Sequence, residues 1–133
     1  MFRTILVFAL VVFTAVHAGH TLSGTVSGCG KTGTVFVAVF DEDAWDAEMP
    51  LWHVELDPPK SGSTLRFSFA NIPSGEYAVF AFQDEDYNGT LNLGLFGPTE
   101  PWGTYRHVSV IPTFSAMAFK LSGDRTGIKI KIS

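Results

Sequence analysis

The residues best suited to chemistry lie past the middle of the chain, in the run Asp84-Glu85-Asp86-Tyr87-Asn88-Gly89-Thr90-Leu91-Asn92. Oxygen-bearing side chains recur there at alternate positions, as in the opening of the calcium-loop pattern D-x-[DN]-x-[DN]-G. When such a segment curls, its alternate side chains converge on one point, and a glycine after the third ligand allows the sharp turn. Asp84, Asp86 and Asn88 would be side-chain ligands, Thr90 would offer its carbonyl, and Asn92 a direct or water-mediated oxygen. The twelfth position of such a loop holds a bidentate glutamate, and here it is Leu95. The expected calcium site is therefore weak, in the millimolar class of extracellular modules. The competing reading is structural. Asp and Asn side chains bond their own backbone, and Asn88-Gly89 makes a tight turn. Asn88-Gly89-Thr90 is also a glycosylation sequon, which matters only in a eukaryotic host.

A second constellation follows in Gly94-Leu95-Phe96-Gly97-Pro98-Thr99-Glu100-Pro101-Trp102-Gly103. Phe96, Trp102 and Tyr105 could line a shallow platform for a carbohydrate or an apolar surface ligand, or they could cap one end of a core. No catalytic set stands out. His20, His53 and His107 lack metal-ligand spacing, Cys29 is distant from all of them, and Ser61, Ser63 and Ser74 sit in no nucleophile motif. The acids lie on turns with nothing to raise their pKa. The expectation is a non-enzymatic module that binds a weak cation or a partner through residues 83–113. The alternatives are a glycan or surface-ligand binder using the loop aromatics, and an accessory domain of an enzyme.

The elements that must position these residues read as strands. Period-2 alternation with β-branched and aromatic residues recurs between turn signals. It predicts strands over Leu22–Ser27, Thr34–Phe40, Leu51–Leu56, Thr64–Ala70, Glu76–Phe82, Phe114–Leu121 and Gly127–Ile132. Thr34–Phe40 is apolar on both faces and reads as central. Lys129 and Lys131 alternate with Ile128, Ile130 and Ile132, the pattern of an edge strand with one wet face. At most, Asp43–Met49 forms one helical turn. Seven short strands fit an antiparallel β-sandwich of immunoglobulin-like or prealbumin-like type, with one long irregular connection. Alternating strand direction puts connections 28–33, 57–63 and 83–113 at one end, and 41–50, 71–75 and 122–126 at the other. Asp41-Glu42-Asp43 and Asp84-Glu85-Asp86 then cannot share a site.

Residues 1–18 read as a cleaved signal peptide: one base, Arg3, then an apolar run to Val16, with Val16-His17-Ala18 close to the small-x-small pattern. The run is short of the roughly 20 apolar residues a spanning helix needs. The expected mature domain spans 19–133 and is periplasmic or secreted, with no stable membrane span and an extracytoplasmic protein or glycan as its partner. Losing Arg3 lowers Lys plus Arg from 9 to 8 against 13 Asp plus Glu, so the net charge moves from -4 to -5. Such a balance argues against nucleic acid as a partner. A single cysteine, Cys29, excludes an internal disulfide. Val26-Ser27-Gly28-Cys29 looks like a lipoprotein box, but it does not directly follow the apolar run, and cleavage there would delete a strand.

A family resemblance rests on Asn71-Ile72-Pro73-Ser74-Gly75-Glu76-Tyr77-Ala78-Val79, on Phe82-Gln83-Asp84-Glu85-Asp86-Tyr87-Asn88-Gly89 and on Gly97-Pro98-Thr99-Glu100-Pro101-Trp102-Gly103. Over nearly the whole mature chain the sequence resembles the bacterial exported proteins grouped as domain of unknown function 2141 (DUF2141). The strand Val35–Asp41 also looks like the family's start. Members carry a Leu-Pro-Pro-Gly-Thr-Tyr-like turn, an Asp-Glu-Asn-Gly-Asn-Gly-like loop and a Gly-Ile-Pro-x-Glu-like segment. The resemblance implies a prealbumin-like sandwich and export, and no activity. The chain departs from the family at Gln83, where a histidine is usual, and at Asn92, often an aspartate.

Overall fold

Alternating side chains leave a strand two apolar faces only when something covers both. The computed structural model shows how this chain covers them; it describes residues 19–60, 64–85, 93–94, 97–98, 100–106 and 112–133. In chain order the elements are β1 (His20–Ser27), β2 (Thr34–Phe40), α1 (Glu42–Asp46), β3 (Trp52–Leu56), β4 (Leu65–Ile72), β5 (Gly75–Asp84), β6 (Leu93–Gly94), β7 (Gly97–Pro98), β8 (Trp102–Thr104), α2 (Phe114–Met117), β9 (Phe119–Leu121) and β10 (Arg125–Lys131).

The chain is all-β, and its strands form two main sheets. One has the order β10-β1-β4; the other has β3-β2-β5-β8, with β9 paired to the start of β5, and β6 and β7 form a separate two-residue ladder. Pairing is antiparallel except between β1 and β10, which run parallel. β2 is central, between β3 and β5, and β10 is an edge, as their patterns predict.

The sheets face each other across an aliphatic core. Leu22 and Val26 of β1, Ile128 and Ile130 of β10, and Phe67 and Phe69 of β4 meet Val35, Val37 and Val39 of β2 and Val79 and Ala81 of β5. A second cluster covers the outer face of the five-stranded sheet. Ala38, Phe40, Ala78, Phe80 and Phe82 are buried there with Ala44 of α1 and with Phe114 and Met117 of α2.

Three sequence expectations are corrected. The strand expected over Phe114–Leu121 begins as a helical turn: Thr113 accepts from the Ala116 N–H at 3.4 Å and caps it. Phe114 and Met117, three residues apart on one face of that turn, are buried in the outer cluster, and only Phe119–Leu121 is strand. The turn expected at Asn71–Gly75 is shorter, because β4 continues through Asn71, which takes a φ of 61° in the strand. The stretch 83–113 is less irregular than expected, for it contains β6, β7 and β8.

The sheets are also joined at one side by backbone. Trp102 and Ser133 exchange hydrogen bonds of 3.4 and 3.2 Å. That approach needs Gly103, where a Cβ would lie 2.1 Å from the Lys131 carbonyl oxygen. No helix among the described residues is long and apolar enough to cross a membrane.

Candidate functional site

The β2–β5 register pairs Thr34 with Asp84 and Phe40 with Ala78. Asp41 and Asp84 therefore sit at opposite ends of one strand pair, about 23 Å apart at the usual rise per residue. The first acidic run has a local explanation. Asp41 Oδ1 accepts from the Ala44 N–H at 2.8 Å and caps α1, whose first turn holds Glu42 and Asp43. Carboxylates suit a helix start, where N–H groups lack intrahelical partners.

At the other end, β5 carries Gln83 and Asp84 into the acidic loop, and both are buried. Gln83 faces the space between the sheets. Its Nε2 donates to the carbonyls of Gly30 at 2.8 Å and Gly33 at 3.1 Å, and its Oε1 accepts from the Gly30 N–H at 2.7 Å. One amide thus satisfies three backbone groups of the β1–β2 connection. Gly33, with a φ of 102°, approaches so closely that a Cβ there would lie 2.6 Å from the Asp84 carbonyl oxygen.

Asp84 points to the other face. The β5–β8 register pairs Phe80 with Thr104 and Phe82 with Trp102. The Gln83 N–H then donates to the Pro101 carbonyl at 2.9 Å, which continues the register one step. Carried one further step, that register would set Asp84, at the end of β5, opposite Glu100, two residues before β8. Such a step is a non-hydrogen-bonded position, the kind in which facing side chains come closest. Asp84 is 2% exposed and Glu100 8%. Below them lies an aromatic floor: Phe36 stacks on Phe82 at 5.0 Å and Phe80 on Trp102 at 5.5 Å, both near-parallel.

The remaining predicted ligands, Asp86, Asn88, Thr90 and Asn92, lie outside the described residues, as does Phe96. Among the described residues no group of three or more His, Cys, Asp or Glu side chains could hold a metal ion. Glu100 was not among the candidate ligands read from the sequence. Its signal was its place just before β8, which only the β5 register converts into proximity.

Trp102 and Tyr105 do not share a face. Trp102 packs on the outer aromatic cluster, while Tyr105 packs on the inner core, edge-on to Phe119 at 5.1 Å. The Tyr105 hydroxyl accepts from Arg125 Nη1 at 3.1 Å. His20 Nε2 and Ser74 Oγ are 2.7 Å apart, His53 is exposed on β3, and His107 lies outside the described residues. Cys29 is buried in the inner core, and burial pushes its thiol pKa up, the reverse of what a reactive thiolate needs. Cleavage before Cys29 would remove all of β1, the middle strand of its sheet.

A family model described as an uncharacterized protein conserved in bacteria (DUF2141) matches residues 25–129, so the chain belongs to that family. No curated protein and no solved structure matches it.

Proposed function

We propose that this member of the DUF2141 family is an exported, non-enzymatic binding module that holds a divalent cation, calcium by its oxygen chemistry, where β5 runs into the acidic loop. One observation supports this above the others: Asp84, at the end of β5, and Glu100, just before β8, are both buried, and the β5–β8 register extended past Trp102 would set them opposite each other. Carboxylate oxygens are the ligands a hard divalent cation takes. Glu100 supplies the second-strand carboxylate that the loop pattern lacks at Leu95. Asp86 and Asn88 follow Asp84 at alternate positions and complete an oxygen set of the hard-cation type. The Gln83 clamp and the aromatic floor hold the strand ends, so ligands start from a fixed backbone.

The test is thermal melting of the mature domain with and without millimolar calcium. Wild type is expected to melt several degrees higher with calcium, since a ligand bound only by the folded state stabilises it. Asp84→Asn and Glu100→Gln should each abolish that shift. Identical melting of wild type in calcium and in chelator sinks the proposal.

A further inference from the structure

Charge is divided unevenly between the two sheets. β1, β4 and β10 contain no Asp or Glu and hold Arg66, Arg125, Lys129 and Lys131. In the other sheet β2, β3, β5 and β8 contain Glu55, Glu76 and Asp84 and no Lys or Arg, β9 carries Lys120 opposite Glu76, and the capped turn of α1 adds four acids on their side. An acidic protein thus keeps a basic face.

Arg125 is committed to structure: it donates to the Tyr105 hydroxyl and the Lys120 carbonyl and lies over the Phe119 ring. The other three cations are exposed on the outer face, since Phe67, Ile128 and Ile130 beside them turn into the core. Thr25 is paired with Arg66 on one side and Lys129 on the other, Ser27 with Lys131, and Ser23 with Ser68. Ordinary strand spacing places the Arg66 and Lys129 backbones about 10 Å apart, and Lys129 and Lys131 about 7 Å apart. No carboxylate among the described residues forms an ion pair with the three. A shallow open groove is lined by Arg66 with Ser23, Thr25, Ser68 and Gly127, and Lys129 and Lys131 stand on the neighbouring β10 outside that lining.

We propose that the outer face of the three-stranded sheet docks an anionic polysaccharide. Its repeated sulfate or phosphate groups engage Arg66, Lys129 and Lys131, and its hydroxyls bond Ser23, Thr25 and Ser68. An open face with Arg66 on β4 and Lys129 and Lys131 on β10 suits a chain of spaced charges better than one enclosed anion. A bilayer suits it less. The exposed large apolar side chains among the described residues are Met49 and Leu51, neither on this face. Three cations alone give about 1 kcal/mol each at an anionic membrane.

The experiment measures binding of the mature domain to heparin as the polysulfated probe, with neutral dextran, phosphatidylglycerol vesicles and single-stranded DNA in parallel. Wild type should bind heparin, with affinity falling as salt rises, and should leave dextran unbound. Arg66→Ala/Lys129→Ala/Lys131→Ala should weaken heparin binding at least tenfold and flatten its salt dependence. Lys31→Ala/Lys60→Ala/Lys120→Ala, which removes three exposed cations off this face, should change it less than twofold. All six positions are exposed, so melting temperature should stay near wild type and separates lost binding from lost fold. Absence of heparin binding, equal losses in both triple variants, or tighter binding to vesicles or DNA than to heparin overturns the proposal.

Discussion

The two faces of β5 have solved the same problem with different materials. Toward the other sheet, Val79 and Ala81 meet β-branched and leucine side chains contributed by distant parts of the chain. Toward the outside, Phe80 and Phe82 meet rings and short helices that follow β2 and precede β9. The inner face is what makes two sheets one body. The outer face makes β5 a buried strand in a sheet that would otherwise have a wet side, and it forms the floor beneath Asp84 and Glu100. A strand that is apolar on both faces therefore signals a second cover as much as a central place in a sheet.

Substitutions on the two faces test whether they are comparable in weight. Phe80→Ala, in the outer cluster, should cost about 4 kcal/mol, and Ile130→Ala, in the inner one, about 3 kcal/mol, as large-to-small core changes do. Urea denaturation of both variants measures this. A loss below about 1 kcal/mol for Phe80→Ala would mean the outer cluster is a cover and not a core. Gln83→Ala probes the seam at the site's end of the sandwich. It leaves three backbone groups of the β1–β2 connection without their partner and should cost about 2 kcal/mol. Amide exchange at Gly30 should quicken in that variant before exchange in β2 does.

The smallest effect is one of pH. Tyr77 starts the inner row of β5, and its hydroxyl donates to the Pro73 carbonyl at 2.8 Å. Burial, then the nearby negative charge of Asp41, raises its pKa above the ordinary 10.0. The folded state thus prefers the neutral phenol. The stability this gives is full below about pH 10 and is lost as pH rises through the folded pKa. Melting temperature followed from pH 8 to 11 should fall less steeply for Tyr77→Phe than for wild type. Parallel curves would show that Tyr77 does not carry the alkaline loss.

Much of this was legible in the sequence because period and punctuation are local properties. β2 announced itself by two apolar faces, β10 by its Lys/Ile alternation, and the separation of Asp41 from Asp84 followed from strand direction alone. The nearness of Glu100 to Asp84 that the β5–β8 register implies was not legible. It depends on the β5–β8 register, which nothing local specifies, because β8 is three residues long and has no alternation to read. Gln83 was noticed only as a departure from a family pattern. Its role as a clamp depends on Gly30 and Gly33, fifty residues earlier and more. The helical turn at Phe114 was missed because four residues are too few to show a 3.6-residue period against an apolar run.

Cys29 gives that clamp a further meaning. Cys29 is 6% exposed and lies in the β1–β2 connection that Gln83 holds. A thiol-directed reagent can reach it only when that end of the sandwich opens, so the labelling rate reports the frequency of that opening. The protein carries a built-in clock for local unfolding at the mouth of its candidate site. Labelling with and without calcium, or with Gln83 replaced, would read cation binding and end-opening on the same free-energy scale.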